Sequence, residues 1–161
     1  MSKRAYIRAG VLSIEEVFSL ITTTSEKAVL FGKNVKISFT SVRFQTLLRS
    51  QVCSSCGLEG KFFSVEKHAK GEGQAYHLNM YAVITDGTEV LMTCDHTVAR
   101  SLGGSDTLDN ATTMCTKCNV KKSVVECLKK ELILLKERVS QIESRLVVRE
   151  AQLDSITSCN R

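Results

Sequence analysis

Residues 94–119 read CDHTVARSLGGSDTLDNATTMCTKCN, and this stretch decides the fold that we predict. Asp95 and His96 stand side by side near its start, and a Gly-Gly-Ser-Asp turn follows them. A C-x-x-C pair, Cys115 and Cys118, stands near its end. A hard oxygen ligand, a proton-transfer group and soft thiolates therefore occur within 26 residues. The stretch predicts a site of chemistry and not only an element of structure.

A second C-x-x-C pair, Cys53 and Cys56, precedes the first, and 58 residues separate the two. Zinc prefers four soft ligands at the corners of a tetrahedron, and each pair offers two thiolates about one turn apart. The four cysteines predict a closed, structural zinc site that ties distant parts of the chain together. Gly57 suits the tight turn after the first pair. The alternative interpretation is four buried thiols without a metal.

The cysteine count also bears on the cellular compartment. Seven cysteines, an odd number, fit metal-binding thiolates in a reducing compartment better than a set of disulfides. The N-terminus lacks the apolar stretch of a secretory signal, and no apolar run approaches membrane-spanning length. We therefore expect a cytoplasmic protein that has no membrane partner. Cys94, Cys127 and Cys159 are expected to be packing or exposed thiols.

The residues before Asp95 predict a β-hairpin that carries this aspartate and His96. Apolar residues alternate from Tyr76 to Ile84, and Asp86-Gly87 is typical of a type I′ turn, in which both central residues have positive φ. Residues 89–93 form the predicted returning strand. This strand delivers Asp95 and His96 to its end, where a rigid support can hold functional side chains.

Residues 1–50 predict a mixture of helix and strand whose role is uncertain. Ser13-Ile14-Glu15-Glu16 has the pattern of a capping box, and apolar residues at helical spacing follow it. The predicted elements are a helix from this box to about Leu30, a short strand over Val35, Ile37 and Phe39, and a helix over residues 42–50. We expect the apolar residues of these elements to form core.

From about residue 124 the chain reads as one long helix. Its apolar residues follow a 3–4 spacing with Leu132 at position a, and only Arg149 interrupts the a/d seam. In a parallel pair, the facing g and e′ residues would be Glu131 with Lys136, Arg138 with Glu143, and Arg145 with Glu150. All three pairs are opposite in sign, so we predict a parallel coiled-coil homodimer through residues 125–156. The alternative is an amphipathic helix folded back on its own domain.

Taken in order, the Asp-His pair, the Gly-Gly-Ser-Asp turn, Asn110 and the run C-x-x-C-N-x-x-K closely resemble the HNH endonuclease family. The resemblance covers about 30 residues strongly and extends weakly back to Cys53. It implies an α+β chain whose ββα-metal nuclease module, with structural zinc, occupies residues 51–123. The region 1–50 precedes this module and the coiled-coil helix 124–161 follows it. By analogy, a phage or mobile element is the expected source, with the host cytoplasm as the location if the source is viral.

The resemblance implies a metal-dependent DNA endonuclease that hydrolyses phosphodiester bonds, either nicking or cutting both strands. His96 would be the general base, since an unperturbed pKa of about 6.5 suits proton transfer at neutral pH. Asp95 and Asn119 would bind the catalytic ion, and their oxygen atoms favour Mg²⁺ or Mn²⁺ over zinc. Asn110 would hold the loop and help to orient His96.

Several of these residues also have purely structural interpretations. Asn110 could cap the turn that leads into the next strand. Asn119 could cap the final helix, and this interpretation is compatible with metal binding. His68 and His77 lie outside the resemblance and are expected to be structural.

The net charge of +5 is compatible with DNA as a partner but does not establish it. Residues 1–123 carry fifteen Lys and Arg against eleven Asp and Glu, so most of the excess lies in the part that holds the cysteine pairs. Arg100, Lys117, Lys121 and Lys122 cluster around the predicted site. They either contact phosphates or form a solvated face.

Two other functions compete with the nuclease. An HNH scaffold without activity would be a zinc-dependent, dimeric DNA-binding or partner-inhibiting protein. The presence of Asp95, His96, Asn110 and Asn119 argues against it, because a decayed nuclease is expected to lose at least one of them. The third candidate is a coiled-coil interaction protein whose zinc domain is merely structural.

Overall fold

Five antiparallel strands form the main sheet of the computed structural model, which describes residues 6–23, 27–69 and 75–159. The strands are β1 (Tyr6–Ser13), β2 (Lys27–Leu30), β3 (Lys33–Lys36), β4 (Gly60–His68), β5 (His77–Val83), β6 (Glu89–His96) and β7 (Ala111–Cys115). The main sheet has the order β1-β4-β5-β6-β7, and β2 pairs with β3 as a separate hairpin. The helices are α1 (Ile14–Thr23), α2 (Val42–Arg49) and α3 (Thr116–Cys159). An antiparallel sheet combined with a C-terminal helix confirms the predicted α+β class.

The chain divides into two compact units, residues 1–121 and 122–161. The first unit contains both sheets, α1, α2 and the start of α3. The second consists of the remainder of α3 within the described residues. The long helix begins at Thr116, whereas the sequence pattern predicted its start at about residue 124.

The start of α1 follows the predicted capping box, but its end does not follow the prediction. The backbone N–H of Glu16 donates to Ser13 Oγ at 3.1 Å, and the N–H of Ser13 donates to Glu16 Oε2 at 2.6 Å. The predicted extension to Leu30 is wrong, because β2 occupies the last four of these residues. Phe31 and Gly32 have φ angles of 51° and 67°, which a two-residue hairpin turn requires, and this turn pairs β2 with β3.

The other predicted elements of the N-terminal region are close to the observed ones. The predicted helix over residues 42–50 is confirmed by α2, and Ser41 Oγ caps it by accepting from the N–H of Phe44. The predicted strand is shorter than expected, since β3 ends at Lys36 while Ile37 and Phe39 are buried beyond it. The strands β1 and β4 were not predicted.

The hairpin between β5 and β6 is confirmed, but its predicted turn type is wrong. Gly87 has a φ of 80°, whereas the φ angle of Asp86 is not positive. Asp86 Oδ1 instead accepts a hydrogen bond from the N–H of Thr88 at 2.8 Å, and the N–H of Ile84 donates to the Thr88 carbonyl at 3.1 Å. The aspartate side chain therefore stabilises a longer turn that needs positive φ only at the glycine.

The core lies between α2 and the sheet, and it supports the strands that carry the candidate site. Leu47 of α2 is fully buried, and the Phe44 ring lies 6.1 Å from the Phe63 ring of β4. Thr113 Oγ1 on β7 donates to the carbonyls of Thr46 at 3.2 Å and Ser50 at 2.6 Å. Because these contacts fix β7 against α2, they also fix the neighbouring strand β6.

In the second unit, the apolar residues of α3 are exposed to solvent. The seam residues Leu128, Leu132, Leu135, Val139, Ile142 and Leu146 are between 52 and 59% exposed. Ile133, Leu134, Val147 and Val148, which lie outside the a/d seam, are exposed as well. Within the described residues, no helix is both long enough and apolar enough to cross a membrane.

Candidate functional site

The strands β6 and β7 form an antiparallel pair that leads directly into α3. Asp95 pairs with Thr112 and His96 pairs with Ala111, so the two predicted catalytic residues end β6. A loop of residues 97–110 joins the strands, and it contains two short 3₁₀ turns. Since β7 ends at Cys115 and α3 begins at Thr116, the second cysteine pair lies at the strand–helix junction.

The four predicted zinc ligands meet at one point. The sulfur atoms of Cys53, Cys56, Cys115 and Cys118 all lie within 4.8 Å of one another, and those of Cys56 and Cys115 are 3.9 Å apart. Four sulfurs around a tetrahedral zinc, each about 2.3 Å from the metal, would be about 3.8 Å apart. The donor set and its spacing therefore fit a structural zinc ion.

Backbone hydrogen bonds shape the first cysteine pair for this role. The N–H of Cys53 donates to the Leu58 carbonyl at 2.8 Å, and the N–H of Gly57 donates to the Cys53 carbonyl at 2.9 Å. Gly57 has a φ of 74°, as the tight turn requires. The N–H of Ser54 reaches across to the carbonyl of Thr113 at 2.9 Å, so the two pairs are also joined through the backbone.

The thiols of the cluster differ in their pKa values. Burial works against ionisation of Cys53, but backbone N–H groups, above all that of Cys115, outweigh it and lower the pKa of Cys53 to about 6. Burial raises the pKa of the Cys115 thiol to about 12. A metal ion must therefore displace protons from the cluster when it binds, and its binding free energy is coupled to pH.

Asn110 holds the loop that follows His96. Its Oδ1 accepts from the N–H of Val98 at 2.9 Å, and its Nδ2 donates to the carbonyls of Val98 at 3.0 Å and Ser105 at 2.8 Å. A Cβ at Gly104 would lie 1.9 Å from the Val98 carbonyl oxygen and 2.9 Å from Asn110 Nδ2. This position therefore needs glycine for the close approach of the two sides of the loop.

His96 contacts a residue to which the sequence pattern assigned no role. Its Nε2 lies 2.8 Å from Asp106 Oδ1, and the histidine side chain is 20% exposed. The hydrogen bond from His96 is the main cause that lowers the pKa of Asp106, and the nearby Arg100 adds to the effect. An ionised Asp106 can only accept a hydrogen bond, so Nε2 is the donor in this contact. The Gly-Gly-Ser-Asp turn contains this aspartate, but no pattern in the sequence linked Asp106 to His96.

Asn119 lies on the same side of β6 as Asp95. Its Nδ2 donates to Thr93 Oγ1 at 3.0 Å. Thr93 and Asp95 are two residues apart on β6, so their side chains share a face of the strand. Because the amide nitrogen is the donor to Thr93, the amide oxygen is the atom that can coordinate a cation. Asn119 stands inside α3, which begins at Thr116, so the interpretation of this residue as the helix cap is wrong.

The four basic residues predicted to contact DNA lie on two elements. Arg100 begins the first 3₁₀ turn of the loop, and Lys117, Lys121 and Lys122 lie on α3. Arg100, Lys117 and Lys121 are exposed. Lys122 is half-buried and forms an ion pair with Glu126 at 3.4 Å.

Residues 84–124 match the family model described as HNH endonuclease. The matched segment includes Asp95, His96, Asn110, Asn119 and the second cysteine pair, whereas Cys53 and Cys56 lie outside it. A search of curated proteins and a search of solved structures each gave no match.

Zinc removal tests the cysteine cluster. Cys53→Ser is expected to lower the thermal unfolding midpoint by at least about 10 °C, because a metal that binds only the folded chain contributes its binding free energy to folding. The purified parent is expected to contain one zinc per chain by elemental analysis. Cys127→Ser is the matched control, since that thiol is exposed and outside the cluster. A parent without zinc, or equal midpoints for the two variants, would contradict the assignment.

Proposed function

We propose that the chain, whose residues 84–124 match the HNH endonuclease family model, is a metal-dependent DNA endonuclease with a ββα-metal module. The observation that carries the proposal is the arrangement at the end of β6. There His96 is held by Asp106, while Asp95 and Asn119 lie on one face of the strand. A proton acceptor that directly follows a hard oxygen ligand at the end of one strand suits hydrolysis of a phosphodiester bond.

His96 acts as the general base in this proposal. The Asp106 carboxylate holds the proton on Nε2, so Nδ1 is the atom that takes a proton from the attacking water. Asn110 fixes the backbone of Val98, two residues beyond His96, and so limits movement of the ring. The orientation of the base therefore depends on two contacts from the same loop.

Asp95 and Asn119 hold the catalytic cation, and their oxygen donors suit Mg²⁺ or Mn²⁺. When bound, the ion supplies charge stabilisation to the phosphate and to the leaving oxygen. Thr93 orients the Asn119 amide by accepting from its nitrogen. The zinc ligand Cys118 precedes Asn119 directly, so the structural cluster also restrains this ligand.

Nicking of supercoiled plasmid in Mg²⁺ or Mn²⁺ tests the proposal. His96→Ala is expected to lower the rate by about 10²–10⁴-fold, the usual contribution of a general base. Asp106→Asn is expected to lower the rate by a smaller factor, because the base remains but its tautomer is no longer fixed. Asp109→Asn is the matched control, since Asp109 is an exposed carboxylate of the same loop. Equal nicking by parent and His96→Ala would reject the nuclease and favour the silent binding protein.

We also propose that residues 125–156 form a parallel coiled-coil homodimer. The exposed seam of α3 leaves seven large apolar side chains in water, those of Val125 and the six residues named above, and a second copy of the helix would cover them. The opposite charges of Glu131 and Lys136, Arg138 and Glu143, and Arg145 and Glu150 select the parallel register. A dimer would give the protein two nuclease modules for one DNA duplex.

Sedimentation equilibrium at micromolar concentration tests the dimer. The parent is expected to sediment with twice the 17.8 kDa mass of the chain. Leu135→Asp places a charge at seam position d and is expected to give monomers. Leu134→Asp is the matched control, because Leu134 is 50% exposed, like Leu135 at 55%, but lies at position c outside the seam. A monomeric parent, or the same mass for both variants, would remove the dimer.

A further inference from the structure

Two cavities in the first unit share part of their lining, and the first of them is also lined by residues of β6. One has a volume of about 350 Å³ and is lined by Tyr6, Arg43, His68, His77, Asn79 and Thr93, among others. The other, of about 360 Å³, is lined by Lys36, Ser38, Ser41, Arg43, Tyr76 and His77, among others. Arg43 and His77 belong to both linings, so the cavities are neighbours. Among the described residues that line them there is no aspartate or glutamate.

Arg43 is a half-buried cation that the fold orients firmly. Its Nη1 and Nη2 donate to the Leu78 carbonyl, each at 3.2 Å, and Nη2 also donates to Asn79 Oδ1 at 2.6 Å. Burial is the main influence on this group and lowers its pKa, as expected for a guanidinium that has lost much of its hydration. Within the described part of the chain, the ion pairs do not include Arg43.

The carboxylate nearest to this network is already engaged by other donors. Glu66 is buried on β4 and accepts hydrogen bonds from Ser64 at 2.9 Å, Asn79 at 2.5 Å and Tyr81 at 2.7 Å. Arg8 lies 3.9 Å from the same carboxylate. Asn79 therefore separates Arg43 from Glu66, and Arg43 reaches the cavities without a carboxylate in direct contact.

Three lysines lie at or near Tyr76, a residue that lines the second cavity. The ammonium groups of Lys33 and Lys67 lie 6.0 and 5.5 Å from the centre of the Tyr76 ring. Lys36 lines the cavity itself, and its backbone N–H donates to the Tyr76 carbonyl at 3.0 Å. Burial lowers the pKa of His77, which disfavours the charged form of its ring. The positive charge of this surface therefore comes from Arg43 and the three lysines.

The first cavity begins at the candidate active site. Thr93 lines it, and the same Thr93 hydroxyl accepts the hydrogen bond from Asn119. Asp95 and His96 follow on the same strand, β6. A polymer bound at the catalytic residues can therefore continue past Thr93 towards Arg43 and the lysines around Tyr76.

We propose that Arg43, Lys33, Lys36 and Lys67, named here the basic groove, bind the phosphate backbone of the DNA that flanks the scissile bond. The inference rests on the proposed nuclease function and gives a role to part of residues 1–50, whose role the sequence left uncertain, together with Lys67 of β4. Arginine and lysine contacts to phosphates supply most of the sequence-independent affinity of DNA-binding proteins. The groove thus positions the duplex without reading its sequence.

Salt-dependent binding to a labelled DNA duplex tests the basic groove. All variants carry His96→Ala, so that DNA remains intact in Mg²⁺ during a fluorescence-anisotropy titration at several salt concentrations. Each lost phosphate contact reduces the slope of log Kobs against log salt by about 0.9. Lys36→Gln combined with Lys67→Gln is therefore expected to reduce the slope by about 2. Lys61→Gln, a change at an exposed lysine of β4 outside both cavities, is the matched control and is expected to leave the slope unchanged.

The outcomes separate the groove from the nuclease. An unchanged slope in the double variant overturns the basic groove. The Lys36→Gln, Lys67→Gln protein that retains His96 is then assayed for nicking, and a rate equal to that of the parent leaves the nuclease proposal standing. A His96→Ala parent that does not bind duplex DNA overturns both proposals. Arg43→Gln is expected to reduce the slope by about 1 further. Because Arg43 supports the backbone and this variant could fail to fold, the double variant at lysine positions carries the test by itself.

Discussion

The fold of the first unit depends on the junction of two cysteine pairs that are far apart in the chain. Cys53 and Cys56 follow α2, whereas Cys115 ends β7 and Cys118 lies in the first turn of α3. The four sulfur atoms lie within 4.8 Å of one another, a donor set and spacing that fit a structural zinc ion, whose binding would contribute to the stability of the fold. Asn119 follows Cys118 directly. The constraint that joins α2 to α3 therefore also restrains a proposed ligand of the catalytic ion.

Local sequence signals predicted the parts of the site that are close in the chain. The capping box of α1, helix α2 and the β5–β6 hairpin follow from short-range patterns and are observed. The C-x-x-C spacing was sufficient to predict the four-cysteine cluster. Each pair has a preferred local geometry, and zinc chemistry supplies the reason for the pairs to meet.

Those short-range patterns did not predict contacts that depend on tertiary structure. The helical spacing after Ser13 could not show that Phe31 and Gly32 would turn the chain into a hairpin, because tertiary pairing decides between the two structures. The contact between His96 and Asp106 depends on how Asn110 folds the loop. Likewise, Arg43 meets Asn79 only because α2 packs against the sheet. The sequence therefore indicated local elements and the cysteine cluster better than it indicated the contacts that support the candidate site residues.

The proposed structural metal and the proposed hydrolytic metal occupy separate sites, and metal exchange tests this separation most directly. Protein whose cysteine cluster is loaded with Co²⁺ in place of zinc is expected to show the absorption bands of a tetrahedral tetrathiolate complex. It is also expected to nick plasmid in Mg²⁺ at a rate within about twofold of the zinc form, because a closed four-cysteine site has no open position for substrate. A rate that follows the identity of the metal in the cysteine cluster, at constant Mg²⁺, would contradict the account.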